Sequence, residues 1–310
     1  MGSKDKREET DMPINFICND PLAASGAPAM RSQSPRSDRP SERAGFSFSG
    51  AAAEGLYSLG TSEFLFWQCR EAALSAVETW ESFAGNLISW SPDAANTKKL
   101  PVRQNAGNNL NAFYDRESFS FFEYTTPPKT TFSGSSTDVV AHEVGHGLLD
   151  SIRPELFNSF YTEAGALHEA FGDCMAFLTA IADRRTREAL LAVTSDLGSG
   201  NFVEATAEDL SDGVRRALGS QHNASAPRHL LNSFKFQIPS TLPTDGPPTQ
   251  LINEIHSFGQ VFTGCFYDCV RGVFNSANSH SGGYQRGNRP PGIRRLHPSY
   301  DCGNAERMSL

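Results

Sequence analysis

Residues 136–150 read STDVVAHEVGHGLLD, an apolar run interrupted by two histidines and a glutamate. Either Ser136 or Thr137 can cap a helix here, and Asp138 stands in the first turn, where the helix dipole favours negative charge. Pro154 lies shortly beyond and does not fit inside a helix, because it lacks an amide proton and clashes with the preceding turn. The stretch therefore predicts one buried helix that ends before the proline.

Two histidines on this predicted helix have the spacing of metal ligands. His142 and His146 are four residues apart, so they lie on one face and can bind the same ion. Zinc accepts neutral imidazole nitrogens, and catalytic zinc sites use three protein ligands with a fourth position open to water. Glu143 would reach that water and take its proton. The pentapeptide therefore predicts one catalytic zinc ion per chain, with Glu143 as the general base.

The third zinc ligand has to come from outside this helix. A third histidine six residues after His146 would indicate a metzincin, but that position is Ile152. A downstream carboxylate is required instead, and residues 166–173, ALHEAFGD, offer Glu169 and Asp173 on one helix face. One of them can bind the metal while the other orients a ligating histidine through its second ring nitrogen. Two other carboxylates remain as weaker alternatives: Glu155 and Glu163.

Over roughly residues 100 to 275, the chain resembles the thermolysin-like family of zinc peptidases, which belong to the gluzincins. STDVVAHEVGHGLLD and EAGALHEAFGD are similar to that family's zinc helix and third-ligand helix, with Glu169 standing 23 residues after His146. The resemblance implies that Glu169 is the third ligand, which leaves Asp173 to orient a histidine. It also implies an α+β fold of two lobes with the zinc site in the cleft between them.

Two more segments extend the resemblance to substrate binding. LNAFYDR is similar to the family's edge-strand motif, in which an asparagine and an alanine bind substrate backbone; these roles carry onto Asn111 and Ala112. EIHSFG resembles the segment whose histidine stabilises the oxyanion of the tetrahedral intermediate, and His256 takes that role. The resemblance implies that Arg228 binds a substrate carbonyl. A surface ion pair is an equally good explanation for Arg228.

The chain departs from the family's pattern at both groups that assist the oxyanion. The aspartate that usually stands five residues before the oxyanion histidine is Leu251 here, which leaves Glu254 or Asn253 to orient the imidazole. The auxiliary tyrosine aligns with Phe160, and Tyr161 is the nearest substitute. Of the family's acidic calcium cluster only one residue, the aspartate in the first turn of the zinc helix, clearly remains, so calcium is not expected.

Composition divides the chain into four segments. Residues 1–43 are rich in Ser, Pro and Arg without an apolar period, which predicts a disordered leader. Residues 44–152 form the predicted α+β N-terminal lobe with the zinc helix, and residues 153–277 form the predicted helical C-terminal lobe. Residues 278–310 are rich in Gly, Arg and Pro and are expected to be a disordered or atypical tail.

The predicted core has further helices and strands. The spacing of apolar residues predicts an amphipathic helix from Phe64 to about Phe83, and apolar content predicts a largely buried helix near Thr162 to Ala182. Another helix is predicted from about His256 to Val270. Aromatic alternation in NAFYDRESFSFFEY predicts strands with a buried face, and the following TTPPKTTFSGSS predicts a loop.

Charge and composition exclude several classes of partner. The chain has 310 residues and a formal net charge of −8. An acidic balance argues against nucleic acid or an anionic membrane as the main partner, because both need a basic surface. No stretch approaches the roughly 20 apolar residues of a membrane span. The six cysteines include no CxxC pair, so most of them are expected to be free thiols. The protein is expected to be a monomer.

The compartment stays open at this stage. The polar start MGSKDKREETDMPINF shows no signal peptide, which favours an unexported, cytoplasmic protein. The family resemblance favours secretion instead.

The sequence therefore predicts a zinc endopeptidase that acts on proteins or peptides, with Val139 and its neighbours lining an apolar pocket for the substrate. The alternative from another class is a catalytically weakened or inactive thermolysin-like fold that still binds zinc or peptide. Leu251, Phe160 and the shortened C-terminal end favour this alternative. Glu143 opposes it, because a site without catalysis has no need for a general base that is not a ligand. A purely structural zinc module is weaker still, since no fourth Cys or His is spaced to close the site.

Overall fold

Six α-helices and ten short strands make up the part of the chain that the computed structural model describes, residues 12–282 with side chains to residue 278. The helices are α1 (Ser62–Ala84), α2 (Thr137–Ile152), α3 (Thr162–Ala182), α4 (Arg184–Val193), α5 (Glu208–Leu218) and α6 (Ile255–Gly282). The strands are β1 (Ile14–Phe16), β2 (Arg31–Gln33), β3 (Gly45–Phe48), β4 (Lys99–Arg103), β5 (Ala112–Tyr114), β6 (Phe119–Phe121), β7 (Glu123–Thr126), β8 (Lys129–Phe132), β9 (Ala205–Thr206) and β10 (Arg228–His229). The fold class is α+β, as predicted.

The largest sheet has four strands in the order β3-β4-β6-β5. Strands β3, β4 and β6 run parallel, and β5 pairs antiparallel with β6 at the edge. Phe119 and Phe121 of β6 are fully buried and join side chains of α1 and α2 in the main hydrophobic core. The aromatic alternation therefore marked real strands, and in the structure β5 lies at the edge of the sheet.

The segment TTPPKTTFSGSS is not the loop that the sequence predicted. β7 and β8 form an antiparallel hairpin in which Glu123 pairs with Phe132 and Thr126 with Lys129. Pro127 and Pro128 sit in the turn, where neither has to donate a ladder hydrogen bond. The prolines therefore mark the turn of the hairpin and not an unstructured connection.

The predicted helices are present, and the last one is longer than expected. α1, α2 and α3 agree with the predicted segments, and Ser136 caps α2 by accepting a hydrogen bond from the amide of Val139. α6 continues beyond the predicted end at Val270 to Gly282. α2 packs between α1 and α3, and α3 packs in turn against α6.

α2 and α3 meet through two glycines. A Cβ added to Gly145 would come within 2.9 Å of the Gly172 Cα, and one added to Gly172 would come within 2.6 Å of the His142 Nδ1. Both distances are shorter than non-bonded atoms tolerate. The absence of side chains at these two positions allows the helices to approach closely beside the histidines.

Residues 12–43 differ from the predicted disordered leader. Ile14 and Phe16 are buried in the main core, and the backbone of Ile17 exchanges two hydrogen bonds of 2.9 Å with the side chain of Gln68 in α1. The composition was misleading because the apolar residues are confined to one short run. Arginines that suggested disorder form ion pairs: Arg39 pairs with Glu81 of α1 at 2.8 Å, and Arg31 pairs with Asp183, which precedes α4.

Parts of two predicted segments lie outside the described residues: residues 1–11 of the leader and residues 283–310 of the tail. The five cysteines within residues 12–282 are free thiols. Within residues 12–282, no helix has both the length and the apolar content to cross a bilayer.

We expect Gly145→Ala and Gly172→Ala each to destabilise the protein by about 1–3 kcal/mol, because a methyl group overfills the contact between α2 and α3. Gly172→Ala should also displace His142 and weaken metal binding. The matched control is Gly272→Ala in α6, where an added Cβ meets nothing within 4 Å. That change should stabilise by roughly 0.5–1 kcal/mol. Urea unfolding of the three variants would measure this, and equal stability for all three would contradict the close contact.

Candidate metal centre

Two adjacent helices supply the predicted metal ligands. His142 and His146 lie on successive turns of α2, and Glu169 faces them from the second turn of α3. The Nε2 of His142 is 3.3 Å from Glu169 Oε2, and the Nε2 of His146 is 3.7 Å from Glu169 Oε1. The structure therefore brings the Glu169 carboxylate, 23 residues after His146 in sequence, close to both histidines of α2.

Asp173 orients the first histidine. Its Oδ1 lies 2.9 Å from His142 Nδ1, one turn along α3 from Glu169. This bond places a proton on Nδ1 and directs the lone pair of Nε2 towards Glu169 when the ring is neutral. Although burial raises it, Arg228 and His142 hold the pKa of Asp173 well below its usual range. Asp173 is therefore a carboxylate at neutral pH.

The Glu169 carboxylate shows that this arrangement fits a cation. Oε2 is buried and accepts no hydrogen bond within the described residues, although imidazole nitrogens of His142 and His256 lie 3.3 and 3.2 Å away. With the Nδ1 proton of His142 donated to Asp173, an imidazole lone pair and a carboxylate oxygen face each other. Two acceptors in contact repel unless a positive charge lies between them. A metal ion or a proton on Nε2 would supply that charge.

The two histidines differ in their electrostatic environments. Burial lowers the pKa of His142, but Asp173 and Glu169 outweigh it and raise the value to about 10. Burial lowers the pKa of His146 to about 3, so its imidazole stays neutral. Neutral imidazole is the form that binds metals, so metal binding at this site must release the proton held by His142.

Glu143 stands beside the ligands without being one of the three. Its carboxylate belongs to the same cluster as the two histidines of α2, in which all ligand atoms lie within 4.8 Å of one another. The side chain is buried, and burial raises its pKa to about 7. A carboxyl group with such a pKa can both accept and release a proton near neutral pH.

A cleft opens beside the cluster. Its wall combines α2, the edge strand β5, the β9–α5 connection and the start of α6, and is lined by Asn111, Ala112, Asp138, Val139, His142, Glu143, Thr206, Ala207, Leu210, Arg228 and His256. A neighbouring cavity of about 360 Å³ shares part of this lining and continues along α5. Asn111 and Ala112, at the start of the edge strand β5, therefore line the same cleft as His142 and Glu143.

His256 lies on the opposite side of the cluster, at the start of α6. Its Nε2 is 3.2 Å from Glu169 Oε2, and its Nδ1 is 2.5 Å from Glu254 Oε1. Burial lowers its pKa, but Glu169 and Glu254 outweigh it and the net shift is upward. Leu251 is buried in an apolar cluster beneath this segment. Of the two substitutes considered from the sequence, the structure places Glu254 at the ring.

Arg228 has one feature of each role considered from the sequence: it forms an ion pair, and it lies at the cleft. It makes an ion pair with Asp173, with Nη2 2.7 Å from Oδ1 and Nε 2.9 Å from Oδ2. Because Asp173 is 2% exposed, this is a buried ion pair and not a surface one. Arg228 also lines the cleft. It is held in place by pairing of β10 with β9, where it stands opposite Thr206.

Tyr161 does not reach the cleft. It precedes the first residue of α3 with its side chain 77% exposed, and Phe160 beside it is fully exposed. Neither residue is part of the cleft lining within the described chain. The structure therefore brings no tyrosine from this segment to the place where an auxiliary group would act.

Sequence reasoning missed the wall formed by the β9–α5 connection. Thr206 donates a hydrogen bond of 3.3 Å to Asp173, and Ala207 and Leu210 line the cleft. These residues carry no motif and no helical or alternating period of their own. Their position follows only from the pairing of β9 with β10.

No protein-family model, curated protein or solved structure matches this chain.

The predicted zinc affinity should depend on Asp173. Asp173→Asn weakens the charge that orients His142, and loss of such a supporting carboxylate costs about 10- to 100-fold in metal affinity. The control is Asp268→Asn, an exposed carboxylate on α6 that pairs only with Arg271. Competition with a chromophoric chelator measures the affinity. Equal zinc affinities for the two variants would show that Asp173 does not support the site.

Proposed function

We propose that this chain is a zinc-dependent endopeptidase of the thermolysin-like type, with two lobes and its active site in the cleft between them. The observation that carries the proposal is the convergence of His142, His146 and Glu169 beside a fourth group, Glu143, that is not needed as a ligand. A structural site has no use for that group, whereas a hydrolytic site needs a base beside the metal.

His142, His146 and Glu169 would hold the ion. When bound, zinc acidifies a water molecule and polarises the scissile carbonyl. Glu143 takes the proton from the attacking water and later gives it to the leaving amine. Its pKa of about 7, raised by burial, suits both transfers at neutral pH.

His256 is placed to stabilise the negative oxygen that develops during the attack. The carboxylate of Glu254 accepts a hydrogen bond from Nδ1, and Nε2, which lies 3.2 Å from Glu169 Oε2, is the ring nitrogen left to donate to the oxyanion. Burial lowers the pKa of this imidazole, but Glu169 and Glu254 raise it overall, which favours the protonated ring that donates to an oxyanion. Glu254 positions the ring and itself need not touch the substrate.

The edge strand β5 and the cleft wall define how a peptide would lie. β5 pairs on one side only, with β6, so its other side offers backbone groups to an extended substrate. Val139, Ala207 and Leu210 give the cleft an apolar portion, which favours an apolar substrate side chain beside the scissile bond. Arg228 offers a cation at the edge of the same space.

The alternative is a zinc- or peptide-binding protein with weakened or no catalysis. The outward position of Tyr161 is the observation that favours it, because one of the two groups expected to assist the oxyanion is missing from the cleft. Hydrolysis separates the two proposals, because only the endopeptidase turns over substrate.

Glu143→Gln should leave the zinc content near one ion per chain and reduce casein hydrolysis by about 10²- to 10⁴-fold, because only the proton acceptor is lost. Glu188→Gln, on an exposed part of α4, is the control and should retain full activity. Zinc content and fluorescent casein release measure the two properties. Zinc in the parent protein without hydrolysis would favour the alternative, and no zinc in any variant would refute the endopeptidase proposal.

His256→Ala should lower kcat by about 10²- to 10³-fold with little change in KM, as expected for loss of an oxyanion donor. Glu254→Gln should have the same sign and a smaller effect, since the ring stays but loses its orienting charge. Kinetics on a short fluorogenic peptide give both parameters. A change confined to KM would show that His256 binds substrate and does not act in the transition state.

A further inference from the structure

An apolar groove of about 510 Å³ runs between α3, α4 and α6. Within the described part of the chain one lining residue is charged, Arg187, and the others are apolar side chains and one cysteine. None of the candidate metal ligands lines this groove. It is therefore a second cavity, separate from the cleft beside the metal centre.

Each of the two outer helices presents one apolar face to this groove. On α6, the lining side chains recur at spacings of three and four residues between positions 266 and 277, which places them on one side of the helix. On α4, Leu190 and Leu191 stand three and four residues after Arg187. The arginine therefore lies on the same helix face as the two leucines.

The floor of the groove is buried and its rim is open to solvent. Phe177 of α3 and Leu190 of α4 are 1% and 6% exposed, whereas Leu191 and Val273 are 59% and 72% exposed. Exposed apolar side chains around a concave apolar surface are typical of a binding site. The volume also lies within the roughly 300–1,000 Å³ of sites for small molecules. The groove therefore has the size and the polarity of a site for an apolar small molecule.

Arg187 supplies the charge of this groove in a fixed position. Its Nη1 donates hydrogen bonds to the carbonyls of Ile181 and Ala182, at 2.5 and 2.7 Å, where α3 ends. Within residues 12–278, no carboxylate forms an ion pair with this guanidinium, and its Nε and Nη2 have no hydrogen-bond acceptor. A guanidinium held in this way offers its remaining donors to an anion, in the planar geometry that a carboxylate matches.

We propose that this groove binds the anion of a long-chain saturated fatty acid, with its alkyl chain against the apolar side chains of the three helices and its carboxylate at Arg187. A peptide does not suit such a surface, because its backbone amides and carbonyls would find no partners there. A free fatty acid brings one apolar chain and one charged group, which is the combination that the groove accommodates. The site does not depend on the proposed function of the metal centre.

Two other occupants fit the charge of the groove less well. In a two-fold dimer the same surface would face itself, and the described lining has no carboxylate to pair with a second Arg187. Residues 283–310 carry five arginines against one aspartate and one glutamate, so the net charge of this segment has the same sign as that of the groove. A fatty acid anion has the opposite charge.

The test is isothermal titration calorimetry of the full, zinc-loaded chain with octanoate, decanoate, dodecanoate and tetradecanoate below their micellar concentrations. We expect one fatty acid per chain, with an affinity that rises roughly fourfold for each added methylene, because each methylene is removed from water. Dodecanol should bind roughly fivefold more weakly than dodecanoate, since it lacks the charge that pairs with an exposed guanidinium. Arg187→Gln should abolish this preference. The control Arg185→Gln, which changes an exposed arginine of α4 outside the groove, should keep it.

Val273→Asp tests the apolar part of the site. This change places a carboxylate at the rim of the groove and should weaken dodecanoate binding by about tenfold or more. Ile88→Asp, which changes an exposed apolar side chain outside the groove, should leave the affinity unchanged. Val273 and Ile88 are both more than half exposed, so neither change disturbs the core.

Three results would overturn the proposal. Fatty acid binding that is unaffected by Val273→Asp would place the ligand elsewhere, for example with its carboxylate on the zinc ion. A parent protein that sediments as a dimer, with a Val273→Asp variant that sediments as a monomer, would show that a second copy covers the groove. Failure of the full chain to bind any of these acids would show that the groove is not a fatty acid site.

Discussion

The close contact between α2 and α3 is the constraint on which the rest of the site depends. Gly145 and Gly172 let the two helices approach until there is no room for a Cβ. At that distance Glu169 reaches the Nε2 atoms of both histidines. With a wider separation, the carboxylate of α3 would not reach the two histidines of α2, and the three groups could not bind one ion. The geometry of the candidate metal centre is thus a consequence of helix packing and not of local sequence alone.

The two buried carboxylates of α3 near this contact have different partners. Asp173 faces His142 on one side and the Arg228 guanidinium on the other, so a buried carboxylate is matched by two partners. Glu169 lies beside the imidazoles of His142, His146 and His256, and burial keeps His146 neutral. Replacing one of these groups would leave an uncompensated buried charge, which costs more than the lost contact itself.

α2 contributes to two clusters of side chains. One contains His142, Glu143 and His146, and the other contains Asp20, Asp138 and Glu208. The first turn of α2 carries Asp138, and its second carries His142. The N-terminal segment supports this start directly, since the carbonyl of Asn19 accepts the amide hydrogen bond of Thr137 at 2.8 Å. Residues 14–20 therefore support the start of the helix that carries the candidate metal ligands. The position of α2 thus depends on a segment more than a hundred residues away in sequence.

The sequence by itself determined the helix that begins at Thr137, the histidine pair, the neighbouring Glu143 and the two candidate carboxylates of α3. These features are local, because capping, helical period and ligand spacing act within one or two turns. Glu169 was selected by resemblance, and the structure places it at the histidines. Only the tertiary structure decided that Glu254 orients His256, that Arg228 pairs with Asp173, that Tyr161 points away and that Asp20 and Glu208 join Asp138. Each of these depends on how separate segments pack, and neither composition nor periodicity records contacts between residues that are distant along the chain.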